Sequence, residues 1–265
     1  MNKNEQFISA IKTLNPGNNA VNNLCNVENI SFFVYPMSKT GTSTLSLSLQ
    51  KMMNNKSSYE NVVHCHSENC WKRTFKLDFD FDLMTLIKHQ KRKPIIFQLS
   101  RNPIERLISF YFHIMRNRIN TCSYKGLLQF MESQKNICNY RYYEEKFDVQ
   151  LKNLIFCHKT KHCLVEKDEF ILFYMKLEDF QSNLVKNVRT YLSHTPYNWQ
   201  QFKLYVTNTT NRLNINSKLL NEIKVKGIPN NICQTIFDIN RDEIHFFFSY
   251  DERSYMEKKY HVTIN

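Results

Sequence analysis

Two segments of the chain place cations and hydroxyl groups where a strand is expected to pass into a helix. The first is YPMSKTGTSTL at residues 35–45, which follows the apolar run ISFFVYP at 30–36. A loop between a buried strand and a helix exposes backbone N–H groups and the positive end of the helix dipole, which attract phosphate or sulfate. Lys39 adds a mobile positive charge, and Gly41 allows close approach of the backbone. Hydroxyl donors come from Thr40, Thr42, Ser43 and Thr44.

The first segment differs from a Walker A loop, because its lysine precedes its glycine and no GxxxxGK[ST] pattern is present. The alternative interpretation is an ordinary helix start rich in Ser and Thr, in which a hydroxyl caps a helix that continues to about Met53. The segment alone therefore leaves an anion site and a simple helix cap both open.

The second segment is SRNPIERLISFYFH at residues 100–113, which follows the apolar run KPIIFQLS. Its proline is expected in the first turn of a helix, where a missing N–H has no cost. Arg101 then stands at the end of a strand, and Ser109 lies about two turns into the helix. A guanidinium fork in that place can clamp a phosphate through charge-assisted hydrogen bonds. Alternatively, Arg101 and Arg106 pair with Glu105 or with other surface acids.

The remaining pattern predicts the elements that must position these residues. Apolar runs that suit buried strands alternate with helical segments, which is typical of an α/β fold with a doubly wound parallel sheet flanked by helices. The expected strands lie at 30–36, 61–66, 93–100 and in 170–180. We expect an N-terminal arm at 1–29 and a single domain over 30–265.

Composition narrows the class of partner without selecting one. The 265 residues are 42% hydrophobic and carry a formal net charge of +12, as expected for a folded protein that attracts anions. Charge alone leaves open a nucleic acid, a membrane surface, an acidic glycan, a phosphorylated cofactor and a solvated lysine-rich surface. The basic residues form no long block, so a nucleic-acid-binding tail is not indicated.

The chain has no run of about 18 apolar residues and no apolar signal-peptide core. We therefore expect a soluble chain with the cytoplasm as the default compartment, or the Golgi lumen if a membrane anchor has been removed. Of the eight cysteines, Cys157 and Cys163 could close a small disulfide loop in an oxidising compartment.

Together the two segments resemble the PAPS-dependent sulfotransferases, where PAPS is 3′-phosphoadenosine 5′-phosphosulfate. That family carries PKTGTTSL and RDPxxRxxSxY after two strands, and this chain has PMSKTGTSTL and RNPIERLISFY in the same order. The resemblance implies the P-loop-like sulfotransferase fold, with residues 39–44 at the 5′-phosphosulfate and with Arg101 and Ser109 at the 3′-phosphate. The departures are the additional Met37 and Ser38 and an Asn in place of the Asp of RDP.

Further features are similar to the glycan sulfotransferases of the heparan sulfate and uronyl 2-O type. These features are an HxH motif, a pair of cysteines in IFCHKTKHC, an LEDF motif at 177–180 and a late polar loop at 206–210. The resemblance implies a carbohydrate acceptor, and it places Asn208 and Thr210 near the nucleotide. The likeness spans roughly residues 30–260.

The chemistry implied is an in-line displacement at sulfur, in which Lys39 stabilises the departing oxygen and a base takes the acceptor proton. His66 is the first candidate base, because histidine needs little tuning near neutral pH. His64 is the second, and Glu68 is less favoured. The scheme requires no metal. The histidine pair could instead be an ordinary surface HxH or an adventitious metal site, although with Cys65 and Cys70 it matches no usual zinc spacing.

Two other functions compete with this one. A P-loop-like nucleotide-binding phosphotransferase would share the fold, but no Walker A loop and no clear Mg²⁺ carboxylate are present. A non-catalytic binder of anionic polysaccharide would use only the basic surface, and it would bind in a salt-sensitive way without affinity for PAPS.

Overall fold

The computed structural model divides the chain into two compact units, which we describe separately. The first comprises residues 1–99 and 160–207, and the second comprises 100–159 and 208–265. The described residues are 29–35, 41–53, 62–64, 66, 68, 82–115, 118, 121–138, 140–179, 183–205 and 217–264. The N-terminal arm expected at 1–29 lies outside them except for Asn29. The expectation of a single domain stays a prediction.

Among the described residues, the first unit is built on a sheet of five strands. Its strands are β1 (Phe32–Val34), β2 (Val62–His64), β3 (Ile95–Ser100), β4 (Cys163–Glu166) and β5 (Ile171–Lys176). They lie in the order β2-β1-β3-β5-β4, and β1 pairs in parallel with both β2 and β3. Parallel neighbours need long crossover connections, which helices supply in this chain. The predicted α/β class, with a mostly parallel sheet flanked by helices, is confirmed.

The antiparallel pairing of β4 with β5 was not predicted from the sequence. The two strands are joined by a short turn, closed by a hydrogen bond of 2.9 Å from the Lys167 N–H to the Phe170 carbonyl. A connection this short can only join antiparallel neighbours. The pair therefore forms a hairpin at one end of the strand order.

The core of the first unit is apolar and rich in aromatic rings. Every residue of β1, β3 and β5 is buried, which explains why these segments are mostly apolar and do not alternate between apolar and polar residues. The ring of Phe32 lies 6.2 Å from that of Phe97 and 5.4 Å from that of Trp199, measured between centroids. The three rings thus pack together in the core of the first unit.

The described helices are mostly short and fall into two groups. Those of the first unit are α1 (Thr42–Met52), α2 (Leu83–Lys88) and α6 (Val185–Tyr191), with 3-10 turns at Leu177–Asp179 and Trp199–Gln201. Those of the second unit are α3 (Pro103–Ile114), α4 (Tyr124–Gln134), α5 (Arg141–Phe147), α7 (Ser217–Lys226), α8 (Asn230–Ile239), α9 (Arg241–Phe247) and α10 (Tyr250–Tyr260), with 3-10 turns at Lys135–Cys138 and Leu151–Asn153. In the described part of the chain, none of the helices has the length and apolar character needed to cross a bilayer.

Candidate active site

Helix α1 begins at a glycine that lies a few residues after β1 in the sequence. Gly41 is its N-cap, with φ 85° and ψ 14°, a left-handed conformation that suits glycine because it has no Cβ. The expectation that a Thr or Ser hydroxyl caps this helix is wrong, since the residue at the cap has no side chain. The hydroxyls that follow it are therefore not used as the N-cap.

The three hydroxyl residues in the first turn of α1 differ in exposure. Thr42 is buried at 4% exposure, Ser43 is exposed and Thr44 is intermediate. Farther along the helix, Ser48 donates to the Thr44 carbonyl at 2.7 Å and accepts from the Tyr205 N–H at 2.9 Å. Ser43 and Thr44 are thus the accessible hydroxyls at the helix start. Lys39 and Thr40 lie outside the described residues.

Two histidines lie at the end of β2, beside the strand that leads into α1. His64 is the last residue of β2 and is in register with Val34, the last residue of β1. The ring centroids of His64 and His66 are 4.9 Å apart, with an interplanar angle of 84°. Helix α1 also packs against β2. Within the first unit, the structure therefore places the histidine pair at the same sheet edge as the junction before α1.

The environment of His64 makes it a weak base. Burial, together with the neighbouring His66, lowers the pKa of His64 from 6.5 to about 3. Its Nε2 atom is buried and makes no hydrogen bond within the part of the chain that the structure describes. His64 is therefore neutral near pH 7, and its low pKa makes it a poor acceptor for an alcohol proton.

Glu68, the less favoured candidate base, contributes to the start of α2. Its carboxylate accepts a hydrogen bond of 2.7 Å from the Leu83 N–H, which belongs to the first turn of that helix. Asp82 accepts from the Met84 N–H at 3.0 Å at the same helix start. Satisfying first-turn N–H groups is a structural role. His66 remains the first candidate base.

The second predicted junction lies in the second unit, between the end of β3 and α3. Asn102 is the N-cap, and its side-chain oxygen accepts from the N–H groups of Ile104 and Glu105 at 3.0 and 3.2 Å. Pro103 follows in the first turn, as predicted. Asn in place of the family's Asp thus retains the capping hydrogen bonds. The Arg101 side chain is 24% exposed and lies 3.9 Å from Glu105, and Ser109 is half-buried.

Sequence reasoning missed the partner of Arg106. Arg106 Nη1 and Nη2 donate to the two carboxylate oxygens of Glu243 at 2.8 and 3.2 Å, and Nη2 lies 3.4 Å from the Asn240 side-chain oxygen. The Ser100 hydroxyl donates to the same carboxylate at 2.6 Å. The alternative of ion pairing holds for Arg106, but its acid is buried rather than on the surface. Glu243 lies far along the chain, and no local pattern marks it.

Other predicted residues have simpler outcomes. Asn208 and Thr210, expected near the nucleotide, lie outside the described residues, as do Cys65 and Cys70. Cys157 and Cys163 are not joined to each other, so the disulfide that their spacing allowed is not formed. Burial raises the pKa of the Cys163 thiol to about 11.

A cavity of about 450 Å³ lies at the amino end of β1. Its lining includes Asn29 before the strand, Met53 after α1, and Arg92 and Tyr197. Open α/β sheets bind their ligands at the carboxyl ends of the strands. We therefore do not assign this cavity to the reaction.

The first unit is thus an α/β structure in which a helix with a glycine N-cap follows the parallel strand β1. A model of the sulfotransferase family matches residues 16–251, which is most of the chain. The chain belongs to the sulfotransferase family, whose members are transferases of sulfuryl groups. A search among curated proteins found no significant match.

Proposed function

We propose that the protein transfers the sulfuryl group of PAPS to a hydroxyl of a carbohydrate acceptor. The observation that carries the proposal is the junction between β1 and α1, where a buried parallel strand leads to a helix that begins at Gly41 in a left-handed conformation. The junction carries the KTGT sequence in a chain of the sulfotransferase family. Such a helix start suits an anionic group on the donor.

The first junction would hold the 5′-phosphosulfate. The exposed hydroxyl of Ser43 and that of Thr44 lie in the first turn of α1, where the helix dipole also favours negative charge. Lys39, Thr40 and Thr42 join them by resemblance to the family motif. Lys39 would stabilise the charge that grows on the oxygen of the departing phosphate.

The second junction would hold the 3′-phosphate. Arg101 has a partly exposed guanidinium, and it lies at 3.9 Å from Glu105, near the outer limit for an ion pair. Ser109, on α3, is half-buried. By resemblance these two residues grip the 3′-phosphate, and Asn208 and Thr210 contact the nucleotide.

Bound PAPS supplies a sulfuryl group on a good leaving group. The base takes the proton of the acceptor hydroxyl as the new oxygen–sulfur bond forms, and the old bond breaks with its electron pair left on the phosphate oxygen. We assign the base to His66, because His64 is buried and has a pKa of about 3. The proton would thus rest on His66, and by resemblance Lys39 would stabilise the new negative charge.

A carbohydrate acceptor of the 2-O type is the finer part of the proposal. The histidine pair at the end of β2 supports it, since the HxH motif is a point of likeness to the glycan enzymes. The net charge of +12 would attract an acidic glycan over several ångströms. The two competing functions make different predictions: magnesium dependence for a phosphotransferase, and glycan binding without PAPS affinity for a binding module.

The test is transfer of label from radiolabelled PAPS to a panel of acceptors, with heparan-type and chondroitin-type glycans beside simple phenols. We expect label on a glycan, and a loss of about 100-fold or more in Lys39→Ala. The matched control is Lys51→Ala, which removes a lysine from the other end of α1. Failure of the wild-type protein to label any acceptor would contradict the proposal, and labelling of phenols alone would contradict the glycan assignment.

A further inference from the structure

A buried carboxylate on α9 contacts both ends of the segment 100–106, which carries Arg101. One oxygen of Glu243 accepts hydrogen bonds from the Ser100 hydroxyl at 2.6 Å and from Arg106 Nη1 at 2.8 Å. The other oxygen accepts from Arg106 Nη2 at 3.2 Å. The side chains of Arg106 and Glu243 are 2% and 0% exposed, so water does not compete for these bonds. A single acidic group therefore fixes two points of one short segment.

The backbone between those two points is restrained again by Asn102. Its side-chain oxygen accepts from the N–H groups of Ile104 and Glu105, and the ring of Pro103 fixes the intervening φ angle. Arg101 stands directly between the end of the strand and this cap. The direction in which its side chain leaves the backbone is therefore set by contacts that do not involve its own guanidinium.

We infer that Glu243 is a positioning residue for recognition of the 3′-phosphate of PAPS. By holding Ser100 and Arg106, its carboxylate fixes the backbone from which Arg101 reaches that phosphate. The inference rests on the proposed function. Glu243 is itself fully buried and negatively charged, so it acts through Arg101 and does not touch the ligand. When the backbone of an arginine is fixed beforehand, less conformational entropy is lost as its guanidinium binds a phosphate.

A purely structural role for this network makes a different prediction. Loss of packing or stability alone would weaken the binding of every adenine nucleotide to a similar extent. A change in the placement of Arg101 would weaken only those ligands that carry a 3′-phosphate. The preference for adenosine 3′,5′-bisphosphate over adenosine 5′-phosphate therefore separates the two roles.

The experiment measures both ligands by titration calorimetry with the wild-type chain and three variants. Ser100→Ala removes one bond to the carboxylate and leaves the ion pair with Arg106 in place. Glu243→Gln keeps the shape of the side chain and removes its charge. The control is Tyr124→Phe, which deletes another hydroxyl of the second unit, one that donates to the Gly227 carbonyl at 2.6 Å.

We expect the wild-type chain to prefer the bisphosphate. Ser100→Ala and Glu243→Gln should each reduce that preference on the order of tenfold, and Tyr124→Phe should retain it. In the transfer reaction the KM for PAPS should rise more than kcat falls, because the lost interaction concerns donor binding.

Two outcomes would overturn the inference, and they are distinguishable. If the wild-type chain binds both ligands equally, the assignment of Arg101 to a 3′-phosphate fails, and the positioning role fails with it. If the wild-type preference is present and neither variant reduces it, Glu243 is not a positioning residue, although the proposed function stands. If Glu243→Gln does not fold, Ser100→Ala decides.

Discussion

The carboxylate of Glu105 lies 2.9 Å from the ammonium of Lys259, on α10, and 3.9 Å from the guanidinium of Arg101. Burial by itself would lower the pKa of Lys259, but hydrogen bonds and charge from Glu105 and Tyr260 raise it above its usual value. Lys259 therefore carries a positive charge throughout the neutral range. Under the proposed function, this pairing keeps the Glu105 carboxylate from competing with the 3′-phosphate for Arg101.

Substitution of Lys259 should therefore weaken phosphate recognition from a distance. In Lys259→Met, Glu105 is left to pair more closely with Arg101, and the Kd for adenosine 3′,5′-bisphosphate should rise about threefold. Glu105→Gln combined with Lys259→Met should restore binding. The matched control is Lys258→Met, which removes the exposed neighbouring lysine. An unchanged Kd in Lys259→Met, measured by calorimetry at low salt, would show that Glu105 does not compete.

The two histidines should contribute unequally to the rate. His66→Ala should lower kcat by about 100-fold or more because the base is lost, whereas His64→Gln should lower it much less. His64 has a pKa of about 3, so it does not account for a fall in rate between about pH 7 and 5. We expect the rate of the wild-type protein to fall over that interval, and the pH–rate profile of His64→Gln should show the same fall. If the fall disappears in His64→Gln, the roles of the two residues are reversed.

His64 should also make the fold sensitive to acid. The unfolded chain protonates this imidazole below about pH 6.5, whereas the folded chain resists protonation until about pH 3. The unfolded state binds more protons in that interval, so stability falls as the pH is lowered through it. We expect His64 to account for a loss of roughly 1–2 kcal/mol between pH 7 and pH 5 in chemical denaturation.

The variant that tests this sensitivity is His64→Gln, which should show a smaller loss of stability over the same interval. The exposed His245, on α9, provides the matched control as His245→Gln. An identical pH dependence in His64→Gln and the wild type would contradict the prediction.

The left-handed conformation of Gly41 should make this position intolerant of side chains. Gly41→Ala should destabilise the start of α1 by about 1–2 kcal/mol, because a Cβ clashes in that conformation. Gly41→Asn should cost less, since asparagine visits this region more readily. The melting temperature should fall in the order glycine, asparagine, alanine at position 41. The affinity for adenosine 3′,5′-bisphosphate, measured by titration, should fall in the same order. Equal melting temperatures for the three would show that residue 41 does not need the left-handed conformation at the start of α1.

The buried ion pair between Arg106 and Glu243 should be costly to break from one side. Glu243→Ala leaves an uncompensated buried guanidinium, and we expect a loss of about 3–5 kcal/mol in denaturant unfolding. Replacing both partners, Arg106→Met with Glu243→Leu, should recover much of that loss. Glu145→Ala, in the exposed pair with Arg141, should cost less than about 1 kcal/mol. A loss of unfolding free energy well below that range for Glu243→Ala would contradict the prediction, because it would show that water reaches the ion pair.

The elements with local signals were predictable. The apolar run before Arg101 became β3, and the proline after it took the first turn of α3, because both preferences act through neighbouring residues. The prediction that a Ser or Thr hydroxyl caps α1 was wrong. Ser and Thr favour the N-cap position in general, but in this helix Gly41 occupies it. The local sequence does not decide which of these residues occupies the N-cap.

Long-range relationships were outside the reach of sequence patterns. The contact of Glu243 with Ser100 and Arg106 joins residues more than 130 positions apart, and the sequence around Glu243 gives no hint of it. The low pKa of His64 likewise comes from burial, which depends on what packs around β2. The HxH motif indicated a base, but the difference between its two histidines is a tertiary property.

The hairpin of β4 and β5 also bears on how molecules of this protein meet one another. Strand β4 ends the order of the sheet, and an outermost strand offers unpaired amide and carbonyl groups to any passing chain. Here that strand has only four residues and finishes at Glu166, whose carboxylate is held 2.9 Å from Lys93. A short edge strand that ends in a charged residue pairs poorly with a strand of another molecule, so this edge of the sheet disfavours aggregation.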